Sequence, residues 1–240
     1  MGERRSPVES WPIVRLALFD LDHTLLPVDS ADGWSHFLVR AGGLDTAEFG
    51  ARIEHFAATY RAGTFDNEAY LAFQFGLLAR FPRHRLEHWR AEFLRTRVLP
   101  HMRAEALALI DEHRASGDEL ALATGTHSFV TAPIATAFGL PHLLAVQPAT
   151  DERGEFTGGY TGTHTYGEGK VRAVEQFLAE RGLGWESAET VFYSDSINDL
   201  PLLARVTTPV ATNPDPRLRK IAVERGWRVL ELFSAEREAA

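Results

Sequence analysis

The sequence predicts an α/β fold in which a central parallel sheet carries helices on both faces and a block of helices is inserted after the first strand. Three observations predict it. Short apolar runs rich in β-branched and aromatic residues recur along the chain. Longer stretches of helical periodicity lie between them, and residues 32–97 show helical patterns alone. At 240 residues, 45% of them hydrophobic, the chain can bury the core of one good-sized domain with a smaller insertion.

Taken in order, strands are expected at residues 13–19, 119–123, 143–146, 190–193 and 208–211, with a weaker one at 228–233. Helices are expected at 101–116, 128–138, 169–181, 200–205 and 216–225. This alternation selects a parallel sheet covered on both sides. The helical block divides at Gly42-Gly43, Gly63 and Pro82 into segments near 33–40, 46–61, 66–80 and 84–97. Four helices forming a cap explain that block better than one very long sheet-covering helix. The expected organisation is a core of residues 11–28 and 98–235 with a helical cap of 29–97. Residues 151–162, DERGEFTGGYTG, add a β-hairpin expected to flank the site.

A formal net charge of −8 without a long Lys/Arg run argues against sequence-independent attraction to nucleic acid or to an anionic membrane. No apolar run approaches the ~18 residues of a membrane helix. The chain has no cysteine, which excludes disulfides, thiolate zinc sites and cysteine nucleophiles and fits a reducing cytoplasm. The opening residues, MGERRSPVES, carry an arginine pair with no apolar stretch behind it, so no secretory or twin-arginine signal is expected. Their match to a Met-Gly-x-x-x-Ser myristoylation pattern is read as chance.

Residues 16–26, LALFDLDHTLL, contain a contradiction. The apolar residues fit a strand buried on both faces, yet Asp20 and Asp22 stand two positions apart where it ends. Alternation points both carboxylates into one small volume, where they repel unless something positive lies between them. Open parallel sheets bind ligands beyond the carboxyl ends of their strands. The informative polar residues gather there: Asp20 and Asp22, then Thr124-Gly125-Thr126, then YSDSIND at 193–199, with Lys170 opening a helix after Gly169.

Asp20-x-Asp22-x-Thr24, Thr124 closing an apolar strand, Lys170 and Asp195-x-x-x-Asp199 follow one another in that order across residues 16–203. Together they resemble the haloacid dehalogenase superfamily of aspartate-nucleophile phosphatases. The helical insertion directly after the first motif resembles the branch containing phosphoserine phosphatases, and the stretches FVTAPIA and YSDSINDLPLL resemble bacterial histidinol-phosphate phosphatases. One departure is Ser194, where the superfamily has glycine; serine is small enough to keep the turn.

The resemblance implies a Rossmann-like core and a Mg²⁺ cofactor held by Asp20, Asp195 and the backbone carbonyl of Asp22, since this ion takes a few hard oxygens and keeps several waters. It implies Asp20 as the nucleophile that forms an aspartyl phosphate, and Asp22 as general acid and then general base. Thr24, Thr124, Gly125 and Lys170 would surround the phosphoryl group. Asp199 and Asn198 would orient the groups about the metal.

Plainer readings compete residue by residue. A calcium loop is excluded, because its sixth position is Leu25 rather than glycine and its twelfth is Ala31 rather than glutamate. His23 should point away from the metal by alternation, while His127 is open between a structural role and the site. Phe65, Tyr70, Phe73 and Phe75 are expected as helix core, and Arg83, Arg85, Arg90 and Arg95 as a solvated helix face.

A cap that closes over the site favours a small phosphate ester. In phosphoserine phosphatases an acidic residue of the cap linker holds the substrate amine; its counterpart is Asp29, which is equally a candidate N-cap of the first cap helix. Alignment of GTFDNEAYLAFQFGLL, residues 63–78, puts Ala72 and Gln74 where that family has arginines for the substrate carboxylate. An amine-bearing ester without a carboxylate is then expected, histidinol phosphate first, with phosphoserine or another small ester as alternatives. If so, the cap aromatics stack on its imidazole. Two other classes share parts of the pattern: a receiver-like module that stores a phosphoryl group, and a phosphomutase that returns it to a sugar. Receiver domains are shorter, lack the insertion and lack a counterpart of Asp22, the residue that permits turnover.

Overall fold

A computed structural model describes residues 14–233. Along the chain, β1 (Val14–Phe19) is followed by α1 (Ser30–Gly42), α2 (Thr46–Ala62), α3 (Asn67–Leu78) and α4 (Arg83–Phe93). Then come α5 (Ala104–Ala115), β2 (Glu119–Ala123), α6 (Ser128–Ala137), β3 (His142–Leu144), β4 (Gln147–Thr150) and β5 (Phe156–Thr161). The chain continues through α7 (Glu168–Ala179), β6 (Ala188–Ser194), α8 (Leu200–Leu203), β7 (Thr208–Thr212), α9 (Pro216–Arg225) and β8 (Arg228–Leu230). Six strands form one parallel sheet of order β3-β2-β1-β6-β7-β8.

β1 lies between β2 and β6, and its apolar run serves two cores because successive side chains leave opposite faces. Leu16 and Leu18 join Phe192, Ala211 and the apolar stripes of α7 and α9 on one side. Ala17 and Phe19 join Leu120, Leu122 and α5 and α6 on the other. That second core runs on without a break into the insertion, through Trp34, Ile53, Phe73, Leu86 and Phe93. Register sets Phe19 level with Leu122 and Tyr193. The residues just beyond these strand ends therefore emerge at one edge, side by side.

Three of the four insertion helices start where carboxylates cap them: Asp29 accepts from Asp32 N, Asp45 from Ala47 N and Glu48 N, and Asp66 from Ala69 N. α1 and α2 end at Gly43 and Gly63, as their glycines foretell. The expected fourth helix is shorter than its periodicity suggests. α4 gives way to a π-turn at Leu94–Val98 and a 3₁₀ turn at Leu99–His101, where Pro100 supplies no N–H to continue the ladder.

The hairpin exists, but its first strand, β4, precedes the glycine-rich stretch, whose start forms the turn closed by Asp151 accepting from Arg153 N and Glu155 N. It does not flank the site. Tyr160 packs its ring on Phe75 at 5.7 Å and donates to Glu68, and Glu155 accepts from Arg83 N at 2.7 Å, so the hairpin braces α3 and α4. Arg83 and Arg90 are likewise not a solvated face: Arg83 donates to Gly154 O, and half-buried Arg90 donates to Phe129 O at 2.9 Å and lies over the Phe129 ring. Residues 1–13, with the myristoylation-like pattern and the first core residues expected, and residues 234–235 lie outside the described residues.

Candidate active site

Asp20 leaves the end of β1 with its backbone N–H on Tyr193 O of β6 at 2.9 Å. Its carboxylate is buried, with Oδ1 accepting from Lys170 Nζ at 2.7 Å and Oδ2 3.3 Å from the Thr24 hydroxyl. The same hydroxyl stands 3.3 Å from Asp195 Oδ1 and accepts from Asp195 N at 3.0 Å. Thr24 thus joins the ends of β1 and β6, rather than waiting on a phosphate. Lys170 Nζ also reaches Asp199 Oδ2 at 2.6 Å, and Ser194 Oγ donates to that oxygen at 2.7 Å.

The lysine arrives by a constrained route. Gly167 has φ 54 and ψ −126 ahead of α7, a conformation open in practice to glycine alone. A side chain on Gly169 would collide with the carbonyl of His164. Thr165 Oγ1 donates to Thr124 O at 2.6 Å, tying this loop to the end of β2. Thr124 Oγ1 accepts from Thr126 N, and Thr126 Oγ1 donates to Asp22 Oδ2 at 2.8 Å. Asp22 Oδ1 accepts from Ser30 N at 2.7 Å, so the second aspartate is fixed between β2 and the first turn of α1.

Burial governs the charges. It raises Asp20, with the Lys170 ammonium opposing, and it raises Asp199 in the same way. Asp195 is held well above the usual carboxylate range by burial and by the charges of Asp20 and Asp199. Burial and then Asp29 push Asp22 to about 6. Burial alone would lower Lys170, but Asp199 and Asp20 outweigh it and hold the ammonium above its ordinary value.

One ammonium thus faces three carboxylates, two of which converge on a single hydroxyl. The donor set fits a hard divalent cation taking two carboxylates, a backbone carbonyl and water. It is not a cage of three side chains: among the described residues no three acidic or histidine side chains close on one point.

These groups open into a cavity of about 730 Å³, whose lining includes Asp20, Asp22, Thr124, Gly125, Lys170 and Asp195. Asp199 also lines it, whereas Asn198 contributes no lining atom and Thr24 lies behind the two carboxylates. Asp29 is the N-cap of α1, accepting from Asp32 N at 2.8 Å, and it also lines the cavity. Of the four cap aromatics, Phe65 and Tyr70 line the cavity, while Phe73 and Phe75 are core. His127 is buried against Phe75, and burial drives its imidazole down to about 3. His23 sits at the cavity with φ 59, so it does not follow strand alternation.

Sequence reasoning missed Asp32, Tyr60, Arg61, Tyr166, Ser196 and Arg217, which also line the cavity. Tyr60 and Ser196 hydroxyls meet at 2.8 Å, joining α2 to the residue after Asp195. Neither Ala72 nor Gln74 lines the cavity: Ala72 is exposed and Gln74 is buried against Ser35.

The class that this sheet and its strand-end carboxylates define is the haloacid dehalogenase-like hydrolases. The profile of that family matches residues 17–204. Over 216 residues the chain is 41% identical to a histidinol-phosphatase of Neisseria meningitidis, covering 90% of this chain and 97% of that protein. It superposes on a crystal structure of a protein of unknown function from Bordetella pertussis with a TM-score of 0.86 at 47% identity, over 92% of this chain and 99% of the other. A substrate-bound phosphoserine phosphatase shares the fold, with a TM-score of 0.66 at 20% identity over 91% and 93% of the two chains. The chain belongs to the haloacid dehalogenase-like hydrolase family, and it is a phosphomonoesterase of that family.

Proposed function

We propose that the chain hydrolyses histidinol phosphate by way of an aspartyl phosphate on Asp20. The observation that carries this reading is the make-up of the cavity: nucleophile, lysine and strand-end hydroxyls share its lining with aromatic rings and further carboxylates. Such a cavity suits a small ester with a phosphate at one end and a flat, amine-bearing group at the other. The relatedness to the Neisseria histidinol-phosphatase over nearly both whole chains points the same way.

In this reading an Asp20 oxygen attacks phosphorus, and the departing alkoxide takes a proton from Asp22, whose elevation to about 6 keeps a proton within reach near neutral pH. Asp22 then takes a proton from the water that cleaves the acyl phosphate, freeing phosphate and restoring Asp20. Lys170, Thr124 and the Gly125 amide hold the phosphoryl oxygens, and Asp199 fixes Lys170 through their 2.6 Å contact. Phosphatases of this family generally use Mg²⁺; here Asp20, Asp195 and the Asp22 carbonyl would hold it, and it would offset the charge of the phosphate and the carboxylates.

We read residues 29–97 as a cap that shelters the cavity. The absence of cysteine supports assignment to the cytoplasm, and no helix among the described residues is long and apolar enough to cross a membrane. The expected partner is a small phosphate ester, with neither nucleic acid nor membrane.

Phosphoserine is the second reading, favoured by one observation: Arg61 and Arg217 line the same cavity and offer a carboxylate a partner. Phosphate release with Mg²⁺ from histidinol phosphate, phosphoserine and 2-aminoethyl phosphate decides between them. Histidinol phosphate should give the highest kcat/KM, and Asp20→Asn should abolish release. A faster turnover of phosphoserine would replace the first reading with the second.

A further inference from the structure

We propose that Asp32, backed by the rings of Phe65, Tyr70 and Tyr166, is the subsite that selects a cationic headgroup on the phosphate ester. The inference rests on the phosphatase reading of the cavity and not on the identity of the ester.

Asp32 stands in the first turn of α1, and that turn is pinned to the acid/base carboxylate, because Asp22 accepts from Ser30 N at 2.7 Å. Two residues further along a helix amounts to a rise of about 3 Å. A headgroup beside Asp32 is therefore within reach of an ester whose oxygen lies against Asp22.

The ordinary reason for an acid at this position is structural: the third residue of a helix returns a hydrogen bond to the backbone N–H of the N-cap. Here the exchange is half made. Asp29 Oδ1 accepts from Asp32 N at 2.8 Å, but among the described residues the Asp32 carboxylate accepts no hydrogen bond in return. It lines the cavity instead.

Its neighbours leave it short of a partner. Asp22 and Glu54 both act on it with negative charge, and the cation that opposes them, Arg61, is exposed on α2 and forms no ion pair with it among the described residues. A carboxylate drawn out of water among other acids is stabilised by a cation placed opposite. Asp29, the expected amine ligand, has already given an oxygen to the helix cap.

The rings complete the subsite. Phe65 packs on Tyr70 at 5.1 Å and on Tyr166 at 5.3 Å between centroids, so α3, the loop before it and the loop before α7 present one aromatic wall. Burial raises the Tyr70 phenol, as do Asp29, Asp32 and Asp22, which places the wall within the field of the same acids. A carboxylate and aromatic rings lining the same cavity match an ammonium or imidazolium group.

The test is a ratio: kcat/KM for 2-aminoethyl phosphate over ethyl phosphate, in the Mg²⁺-loaded enzyme. A charge-assisted contact of this kind predicts a preference for the amine of about tenfold or more. Asp32→Asn should bring that ratio close to one, Asp32→Glu should recover part of it, and Tyr166→Leu should lower it severalfold. Calorimetry of histidinol, which lacks phosphate, should show binding to wild type that Asp32→Asn loses, with unfolding curves confirming that each variant is folded. A wild type indifferent to the amine, or an Asp32→Asn that keeps the preference, overturns the proposal. An enzyme that prefers amines through Asp32 yet turns over another ester faster than histidinol phosphate overturns only the substrate named above.

Discussion

Ser194 stands where the superfamily pattern has glycine, and its hydroxyl does what glycine does not: it donates to Asp199 at 2.7 Å and accepts from Ser196 N at 3.2 Å. A buried hydrogen bond to a charged group is worth about 1.5–3 kcal/mol. Ser194→Ala should therefore lower the free energy of unfolding by about 1–2 kcal/mol in urea and reduce kcat, because Asp199 would hold Lys170 less firmly. Lys170→Met is the harsher change. It leaves Asp20 and Asp199 buried without their cation, which should abolish phosphate release and destabilise the fold by about 3–5 kcal/mol. That deficit should shrink in acid, where the orphaned carboxylates are protonated; a deficit that grows as pH falls would contradict the placement of Lys170 between them. Asp20, Asp22, Thr124, Lys170 and Asp195 were legible because each stands at a strand end or helix start that periodicity already marks. Asp32 was not, since an aspartate in a helix's first turn reads as helix chemistry; what sets it apart is its place in the cavity lining without a return bond among the described residues. Tyr60 and Tyr166 carry no local signal, because what makes them site residues is contact across 136 residues of chain for the first, and a loop without periodicity for the second.

The elements were legible where burial imposes a period. β2 and α9 coincide with the expected residues, and the glycines at 43 and 63 end α1 and α2. The hairpin was misplaced because β4 is short and contains Pro148, so it lacks the alternation by which an exposed strand is recognised. Ala72 and Gln74 were given the wrong surroundings for a related reason: alignment counts residues along α3, while its rotation is set by Leu71, Phe73, Phe75 and Leu78 packing into the core. At this scale the Tyr60–Ser196 bond is a direct polar link from α2 to the loop carrying Asp195. Tyr60→Phe removes that oxygen and keeps the ring among Phe65 and Tyr166. The loss of one neutral hydrogen bond, about 1 kcal/mol, predicts a roughly fivefold fall in kcat/KM with little change in thermal midpoint. Steady-state kinetics beside a melting curve would show it, and unaltered kcat/KM would mean that the bond plays no part in positioning α2 over the cavity.

For the molecule as a whole, the site sets how stability depends on pH. Asp29 and Asp32 are raised to about 6, each by burial first and then by a neighbouring acid, and Asp22 is raised as far. Asp20, Asp195 and Asp199 move in the same direction. A carboxyl whose folded pKa exceeds its unfolded value holds more protons when folded, so stability is present below the unfolded value near 4 and is lost as pH rises through about 6. His127 opposes this. Burial holds it at about 3, so the unfolded chain takes up the proton first and stability falls below the ordinary imidazole range. Several carboxyls outweigh one imidazole. The metal-free protein should therefore be more stable at pH 5 than at pH 7.5, by something of the order of 2 kcal/mol. Mg²⁺ should reverse the order, since a cation that binds the folded state alone stabilises it and competes with protons for the same oxygens. Urea unfolding at the two pH values, with EDTA or with excess Mg²⁺, gives the four midpoints needed. Asp32→Asn should flatten the metal-free profile and leave the Mg²⁺ response in place, because Asp32 lies outside the proposed ligand set. A metal-free midpoint that climbs from pH 5 to 7.5 would mean that these carboxyls are paired rather than pressed together, and the case for a cation at the strand ends would fall with it.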